Sequence, residues 1–378
     1  MDALFVKSKL QQEILFKLAP LLDEFKKREP LLDHKGAYPS ENIEELKRIG
    51  YTGLTVPKTY GGEEISLTDF ILFQEAVATG SGPTALSIGW HLGIMMDIHK
   101  QSLWKDEALF EWFCQEALAG KLVNRAASEV ATGSPTRGGK PQTTAIEVAG
   151  GYALNGEKVF TTLAPALDYF LVTASLADEV AEFLVPRELT GVSIEPWWDS
   201  VSMRGTASEK LVLEQVEVPK KFLVNIVNKP KQANNGWLLH IPACYLGMAQ
   251  AAATEATQFA KNYQPNSLNA PISTLPAIRQ QIGEMELELT QARHFLYSIC
   301  EKYDEGLDVS AELGAVKHTV TNMALSVVDK AMRIYGARSL SEANPMWRYY
   351  LNIRAGLHNP PMDDAVISSL AARALERV

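Results

Sequence analysis

Residues 154–162 read Leu154-Asn155-Gly156-Glu157-Lys158-Val159-Phe160-Thr161-Thr162. Asn-Gly is a strong signal for a tight hairpin turn, and the β-branched and aromatic residues after it favour a strand. Short runs of the same kind lie on both sides, at residues 143–148, 169–173, 182–185 and 210–213. Together they predict an all-β domain of roughly 100 residues. The periodicity does not decide between a barrel and a sandwich.

Helical periodicity replaces this pattern on both sides of the β-rich region. Before residue 122, apolar residues recur at intervals of three and four, for example over residues 9–27. After residue 236, four long amphipathic stretches predict an antiparallel four-helix bundle: residues 237–263, 275–304, 309–336 and 362–377. The sequence therefore predicts an α+β chain with three domains, which are a helical N-terminal domain (1–121), a central β-domain (122–226) and a C-terminal four-helix bundle (227–378).

The composition is that of a globular protein and excludes several function classes. Hydrophobic residues make up 46% of the 378 residues, and the net charge of −9 argues against nucleic-acid binding. The longest uncharged stretch, residues 76–96, contains Thr, Ser, Gly and Pro, so we expect no membrane span, and the N-terminus lacks a signal-peptide pattern. Three cysteines without CxxC spacing predict reduced thiols, a cytoplasmic location and no metal site.

A segment of small and hydroxylated residues lies near the start of the β-domain: Ala126-Ala127-Ser128-Glu129-Val130-Ala131-Thr132-Gly133-Ser134-Pro135. Small side chains let a backbone approach a ligand closely, and N–H and hydroxyl groups suit a flavin edge and a pyrophosphate. The segment resembles the TEPxxGSD motif of the acyl-CoA dehydrogenase superfamily of flavoproteins. The resemblance implies a cofactor site with Ala127 and Gly133, in which Ser128 contacts the flavin ring and Ser134 the pyrophosphate. A loop without a ligand is the alternative interpretation.

Residues 154–162 are similar to the LNGxKxWITN motif of the same superfamily. In that motif an aromatic ring stacks on the flavin and a threonine hydroxyl bonds near its N5 atom. Phe160 and Thr162 hold these two positions here, and Phe160 keeps the ring face while lacking an indole N–H. A simple hairpin with Phe160 in the core is compatible with the motif. Residues 203–208 resemble the GxRxSxT segment of the family, in which we interpret Arg204 as a structural or interdomain charge.

The end of the third bundle helix carries a third partial match. Residues 332–338 stand where the family has a QxxGGxG loop, which holds the adenosine-diphosphate half of FAD bound by a neighbouring subunit. Gly336 is kept, whereas Arg333 replaces the Gln and Ala337 the second Gly. A second family contact, an Arg in an RxxF segment, is missing. The resemblance implies a homotetramer that binds FAD, with FMN as the alternative, because Arg333 and Arg338 suit either phosphate group.

The sequence departs from the family at the catalytic base. Dehydrogenation of an acyl-CoA needs a base for its α-proton, and the family places a Glu in a YEGT-like segment before the last helix. Residues 357–364 contain no Glu, and residues 236–241, where a minority of the family supplies the base, contain no carboxylate. Asp363 is the nearest candidate base, although Asp363 and Asp364 also suit the start of a helix.

Two histidines indicate a second chemistry. Some superfamily members are reduced-flavin monooxygenases that act on sulfur heterocycles or phenols. They carry His in place of the Glu, where this chain has His358, and a second His on an N-terminal helix, where this chain has His91. An imidazole can donate a hydrogen bond near the flavin N5 atom and the reacting oxygen. A buried structural histidine is the alternative for His91.

Three functions follow from the resemblance. The first is oxidation of a CH–CH bond in a small acyl-CoA-type substrate, with hydride transfer to FAD and an electron-transfer flavoprotein as redox partner. The second is monooxygenation of a small organosulfur or aromatic substrate by His91 and His358, with a flavin reductase as partner. The third is flavin or acyl-CoA binding without turnover. None of them involves a nucleic acid or a membrane.

Overall fold

The computed structural model describes residues 3–132, 140–227 and 235–377. The N-terminal helices begin where side chains accept free backbone N–H groups, as Ser8, Ser66 and Asp106 do at the starts of α1, α3 and α5. The helices of this segment are α1 (Lys9–Arg28), α2 (Ser40–Arg48), α3 (Leu67–Gly80), α4 (Gly82–Lys100) and α5 (Glu107–Leu118).

The central segment forms one mixed sheet in the order β6-β7-β3-β2-β4-β5-β8, with β1 parallel to β4. The pairing of β3 with β7 is antiparallel and contains an irregularity between Lys158 and Thr161, after which Thr161 faces Glu209. Phe160 lies in this bulge. The strands are β1 (Val123–Ala126), β2 (Thr144–Val148), β3 (Gly151–Thr161), β4 (Tyr169–Leu176), β5 (Glu179–Pro186), β6 (Val192–Glu195), β7 (Glu209–Pro219) and β8 (Leu223–Ile226).

The C-terminal segment is a helical bundle that also packs on the N-terminal helices. Its α6 approaches α3 so closely that a Cβ on Gly247 would lie 2.3 Å from the carbonyl oxygen of Glu75. Arg293 and Tyr297 donate hydrogen bonds to the buried Glu75 carboxylate at 2.7 and 2.8 Å. The predicted order of helical, β and helical segments is confirmed. The helices are α6 (His240–Asn262), α7 (Pro276–Asp304), α8 (Ser310–Tyr335), α9 (Met346–Arg354) and α10 (Asp363–Glu376).

The sequence predicts no membrane span, no metal site and reduced cysteines, and the structure bears on each of these expectations. No helix in the described ranges combines the length and hydropathy that membrane crossing requires. The His, Cys, Asp and Glu side chains of those ranges form no cluster suited to a metal ion. Cys114, Cys244 and Cys300 are buried and unpaired with one another.

The three segments meet at a polar cavity of about 70 Å³. Arg348 of α9 forms a two-pronged ion pair with Asp33, and its Nη2 lies 2.6 Å from Oδ2. Arg204 donates from Nη1 to the carbonyl oxygen of Asp33. Arg204 is therefore an interdomain contact, as the sequence predicted. Glu29 also lines this cavity, and its Oε1 has no hydrogen-bond partner among the described residues.

Glu29 makes the stability of this junction depend on pH. Burial raises the pKa of Glu29 to about 7, from an ordinary value of 4.5. The stability that the protonated group contributes is fully present below pH 4.5 and is lost as the pH rises through about 7. The Glu29→Gln side chain cannot ionise, so the variant does not lose this stability. We expect the free energy of unfolding of Glu29→Gln minus that of the wild type to rise by ~2–3 kcal/mol between pH 4.5 and about pH 8. Urea unfolding at both pH values measures this.

The matched control is Glu24→Gln, which removes a solvent-exposed carboxylate near the end of α1. Its effect on unfolding should be small at both pH values, because exposed ion pairs contribute little. An equal effect of Glu29→Gln at the two pH values would contradict the assignment.

Candidate active site

A buried ion pair holds the two flavin-like motifs together. Lys158 of β3 is inaccessible to solvent, and its Nζ lies 2.6 Å from Oε1 of Glu129. The same carboxylate accepts the backbone N–H groups of Gln142 and Thr143 at 2.6 and 3.0 Å. Burial opposes the charge on Glu129, but the hydrogen bonds from Lys158 and from these N–H groups outweigh it and lower the pKa of Glu129 to about 2. Glu129 is therefore ionised at neutral pH.

Phe160 is held in an unfavourable backbone conformation with its ring in solvent. Its φ is +58°, and 54% of the residue is exposed. A bulky residue at positive φ is an outlier that the surrounding structure must impose, and such outliers concentrate at functional sites. Its neighbour Val159 donates its N–H to the carbonyl oxygen of Ser128 at 2.9 Å. The structure thus brings Ser128 and Phe160 together, and Phe160 is not a core residue.

A row of three hydroxyl groups, on Thr162, Ser208 and Thr206, begins close to Phe160 in the sequence. Oγ1 of Thr162 lies 3.0 Å from Oγ of Ser208, which in turn lies 2.8 Å from Oγ1 of Thr206. Asn124 donates to the carbonyl oxygen of Thr162 at 3.0 Å and ties β1 to the end of β3. Oγ1 of Thr161 is buried and has no partner among the described residues. All four hydroxyl residues are buried, and Thr162 and Ser208, beside the end of β3, are the least deeply buried of them.

Trp197 and Trp198 complete the site and were missed by the sequence reasoning. Their rings meet the ring of Phe160 edge-on, with centroids 4.8 and 6.0 Å away. Glu209 fixes their backbone, because its Oε2 accepts both N–H groups at 2.6 and 2.8 Å. A pair of tryptophans directly after the short, strand-like run 192–195 was the available signal.

The hydroxyl row is connected to the bundle. Thr206 donates to the carbonyl oxygen of Met203 at 2.9 Å, and the N–H of Met203 donates to Oδ1 of Asn352 at 2.7 Å. Ser202 accepts the N–H of Ala355 at 3.1 Å. These contacts anchor the beginning of the segment that carries His358 against the β-domain.

The two candidate catalytic residues of that segment, His358 and Asp363, differ in exposure and in hydrogen bonding. His358 is exposed, and its ring makes no hydrogen bond or ion pair with any described residue. Asp363 is the first residue of α10 and lies 3.4 Å from Nζ of the buried Lys317 and 3.1 Å from Nδ2 of Asn322. Partial burial opposes its charge, but these two groups outweigh that effect and lower the pKa of Asp363. A paired carboxylate with a lowered pKa is a weak proton acceptor.

His91 lies in the core of the N-terminal segment. Its Nε2 is 3.1 Å from the carbonyl oxygen of Thr52, and its Nδ1 accepts the N–H of Val123 at 3.2 Å. Burial lowers the pKa of His91 to about 4. Both ring nitrogens are thus engaged by backbone groups, which favours a packing role and leaves neither free for a substrate.

The remaining predicted cofactor residues lie elsewhere. Arg333 and Gly336 are exposed at the end of α8, and Arg338 covers the ring of Tyr263 at 4.5 Å. No contact within the described ranges joins them to Phe160, so this chain does not bring the two groups together. Gly133 and Ser134 lie outside the described residues.

Comparison with known families identifies the family of this chain. Family models for acyl-CoA dehydrogenases match three successive parts of the chain, with the N-terminal domain at residues 19–102, the middle domain at 124–216 and the C-terminal domain at 239–357. The chain belongs to the acyl-CoA dehydrogenase family. The predicted superfamily, three-part fold and oxidoreductase class are confirmed.

One curated relative and two solved structures resemble the chain over nearly its whole length. The chain is 51% identical to YdbM of Bacillus subtilis (strain 168), whose acyl-CoA dehydrogenase name is provisional, over 99% of this chain and all of that one. Butyryl-CoA dehydrogenase from Megasphaera elsdenii has a TM-score of 0.88 at 23% identity, covering 99% of this chain and 100% of that chain. KijD3, solved with FMN and a sugar nucleotide, has a TM-score of 0.86 at 20% identity, covering 98% and 94%. The last two likenesses concern the fold alone.

The residues present fit a flavin. A flavin ring needs a flat apolar surface on one face and hydrogen-bonding groups along its polar edge. Phe160 presents an exposed ring at the end of β3, and Ser128 and Thr162 lie close to it in the structure and the sequence. These residues would hold the ring of the cofactor.

Replacement of the Phe160 ring tests this placement. Phe160→Ala removes stacking area, so flavin binding should weaken by ~1–2 kcal/mol, or roughly 5–30-fold in Kd. Titration of the apoprotein with FAD and with FMN, followed by flavin fluorescence, measures the change. Phe16→Ala, which removes another largely exposed phenylalanine, is the control and should leave Kd unchanged. Unaltered binding by Phe160→Ala would refute the stacking role.

Proposed function

We propose that this protein is a flavin-dependent dehydrogenase that oxidises a CH–CH bond of an acyl-CoA-type substrate. The strained, exposed Phe160 beside Ser128 and Thr162 carries the proposal, together with extensive identity to a relative that bears an acyl-CoA dehydrogenase name. We take the cofactor to be FAD, which would supply a two-electron acceptor when bound. An electron-transfer flavoprotein as partner, a homotetramer and a cytoplasmic location complete the proposal. In such an assembly, Arg333 and Gly336 would contact the cofactor of a neighbouring subunit.

His358 is the group that we assign to proton removal. The segment that contains it is anchored to the β-domain by the Ala355–Ser202 contact, and its ring is not engaged by another described side chain. Asp363 is a weaker candidate because Lys317 and Asn322 already hold its carboxylate. The substrate would therefore lose its α-proton to the imidazole of His358.

Two substitutions separate the candidate bases, and a third serves as their control. His358→Ala should slow flavin reduction by a short-chain acyl-CoA by ~10²–10⁴-fold, since a general base contributes that much, and should leave the flavin Kd unchanged. Asp363→Asn should slow it by less than about tenfold. His99→Ala, at a partly exposed histidine paired with Glu64, is the control. Anaerobic stopped-flow bleaching of the flavin measures all three, and full activity of His358→Ala would overturn the assignment.

Monooxygenation is the second candidate function, because carboxylates are absent from both usual base positions. It would use a flavin reductase as partner and FMN or FAD as cofactor, with His358 near the reacting oxygen and His91 confined to a packing role by its contacts with Thr52 and Val123. If acyl-CoAs fail to bleach the flavin, oxygen uptake with reduced flavin and small organosulfur or aromatic compounds tests this alternative. Flavin binding with neither activity would favour a non-catalytic binding protein.

A further inference from the structure

The conformation of Phe160 needs an external restraint, because its own strand does not supply one. The bulge in β3 leaves Phe160 without a partner residue on β7, at φ +58°. Its exposed ring gains nothing from burial in the core. Among the described residues, its aromatic neighbours are Trp197 and Trp198, which meet it edge-on at interplanar angles of 85° and 80°. The two tryptophans therefore determine where the Phe160 ring can lie.

The tryptophans in turn lack a strand of their own. They follow the last residue of β6, Glu195, and precede the short 3-10 turn at Arg204–Thr206. Two bonds to the Glu209 carboxylate, at 2.6 and 2.8 Å, fix their backbone N–H groups. Trp198 is also fixed by its indole N–H, which lies 3.3 Å from the carbonyl oxygen of Met203.

Glu209 contacts the backbone of the two tryptophans and also pairs with the strand that carries the bulge. It is the first residue of β7, it is buried, and it faces Thr161, the residue directly after Phe160, across the sheet. One carboxylate therefore sets the position of the tryptophan backbone relative to the bulge. We propose that Glu209 is a positioning residue that holds Trp197 and Trp198 as an aromatic wall against Phe160 and so orients the flavin ring. This inference rests on the proposed flavin site but not on the identity of the substrate.

Two substitutions of similar size separate the hydrogen bonds of Glu209 from its volume. Glu209→Gln keeps a side-chain oxygen that can accept both N–H groups, whereas Glu209→Leu removes it. We expect Glu209→Leu to weaken flavin binding at least about tenfold and to reduce the near-ultraviolet circular dichroism of the apoprotein, because the tryptophan rings lose their fixed orientation. Glu209→Gln should retain both properties within about twofold.

Further variants keep the inference testable if Glu209→Leu does not fold. Trp197→Ala should weaken flavin binding as Glu209→Leu does, and the Glu209→Gln/Trp197→Ala double variant should match Trp197→Ala alone. Glu195→Leu, at an exposed carboxylate paired with Lys210, is the matched control and should change neither quantity.

The outcomes distinguish this inference from the proposed function. Failure of the wild-type protein to bind any flavin would refute the flavin site, while the circular dichroism of the apoprotein would still test the restraint of the tryptophans by Glu209. Normal flavin binding and an unchanged spectrum in folded Glu209→Leu, or normal binding in Trp197→Ala, would overturn the positioning role.

Discussion

The ion pair between Glu129 and Lys158 is the interaction on which the site depends. Removing one member of a buried pair leaves the other charge without compensation and typically costs 3–5 kcal/mol. Here the carboxylate also binds the backbone N–H groups of Gln142 and Thr143, so it connects β1, β3 and the segment that leads into β2. Ser128 and Phe160 flank this pair in the sequence. Their relative position is thus fixed by the fold before any ligand binds.

The proposed flavin site and the proposed base lie in different parts of this molecule. The end of β3 around Phe160 and Thr162 would bind a flavin irrespective of the reaction that the flavin supports. The proposed base lies in residues 355–363, a segment that the Ala355–Ser202 hydrogen bond joins to the β-domain and that Asn352, bound to Met203, precedes. A change in this segment would alter the reaction without disturbing the sheet, because the two proposed sites are on separate elements.

The sequence was sufficient for the order of the segments, and it selected Phe160 and Thr162, which the structure places close together at the end of β3. It did not reveal the left-handed backbone of Phe160, because that conformation follows from the register of β3 against β7 and not from local preference. Glu209 and Trp197 were missed for a related reason, since a carboxylate that binds distant backbone N–H groups leaves no periodic signal. The surroundings of His91 likewise come from Thr52 and Val123, two positions far apart in the chain.

The close approach of α3 and α6 has a consequence for the evolution of this family. Gly247 has no side chain because the backbone at Glu75 occupies that space, and Glu75 is itself neutralised by Arg293 of α7. The N-terminal helices and the bundle must therefore change together. If two relatives recombined at one boundary of the β-domain, the N-terminal helices of one would meet the bundle of the other, and the two surfaces would not fit together. Exchange of the β-domain alone would leave the contact between α3 and α6 intact. Inheritance of α3, α6 and α7 as one unit is the expected pattern.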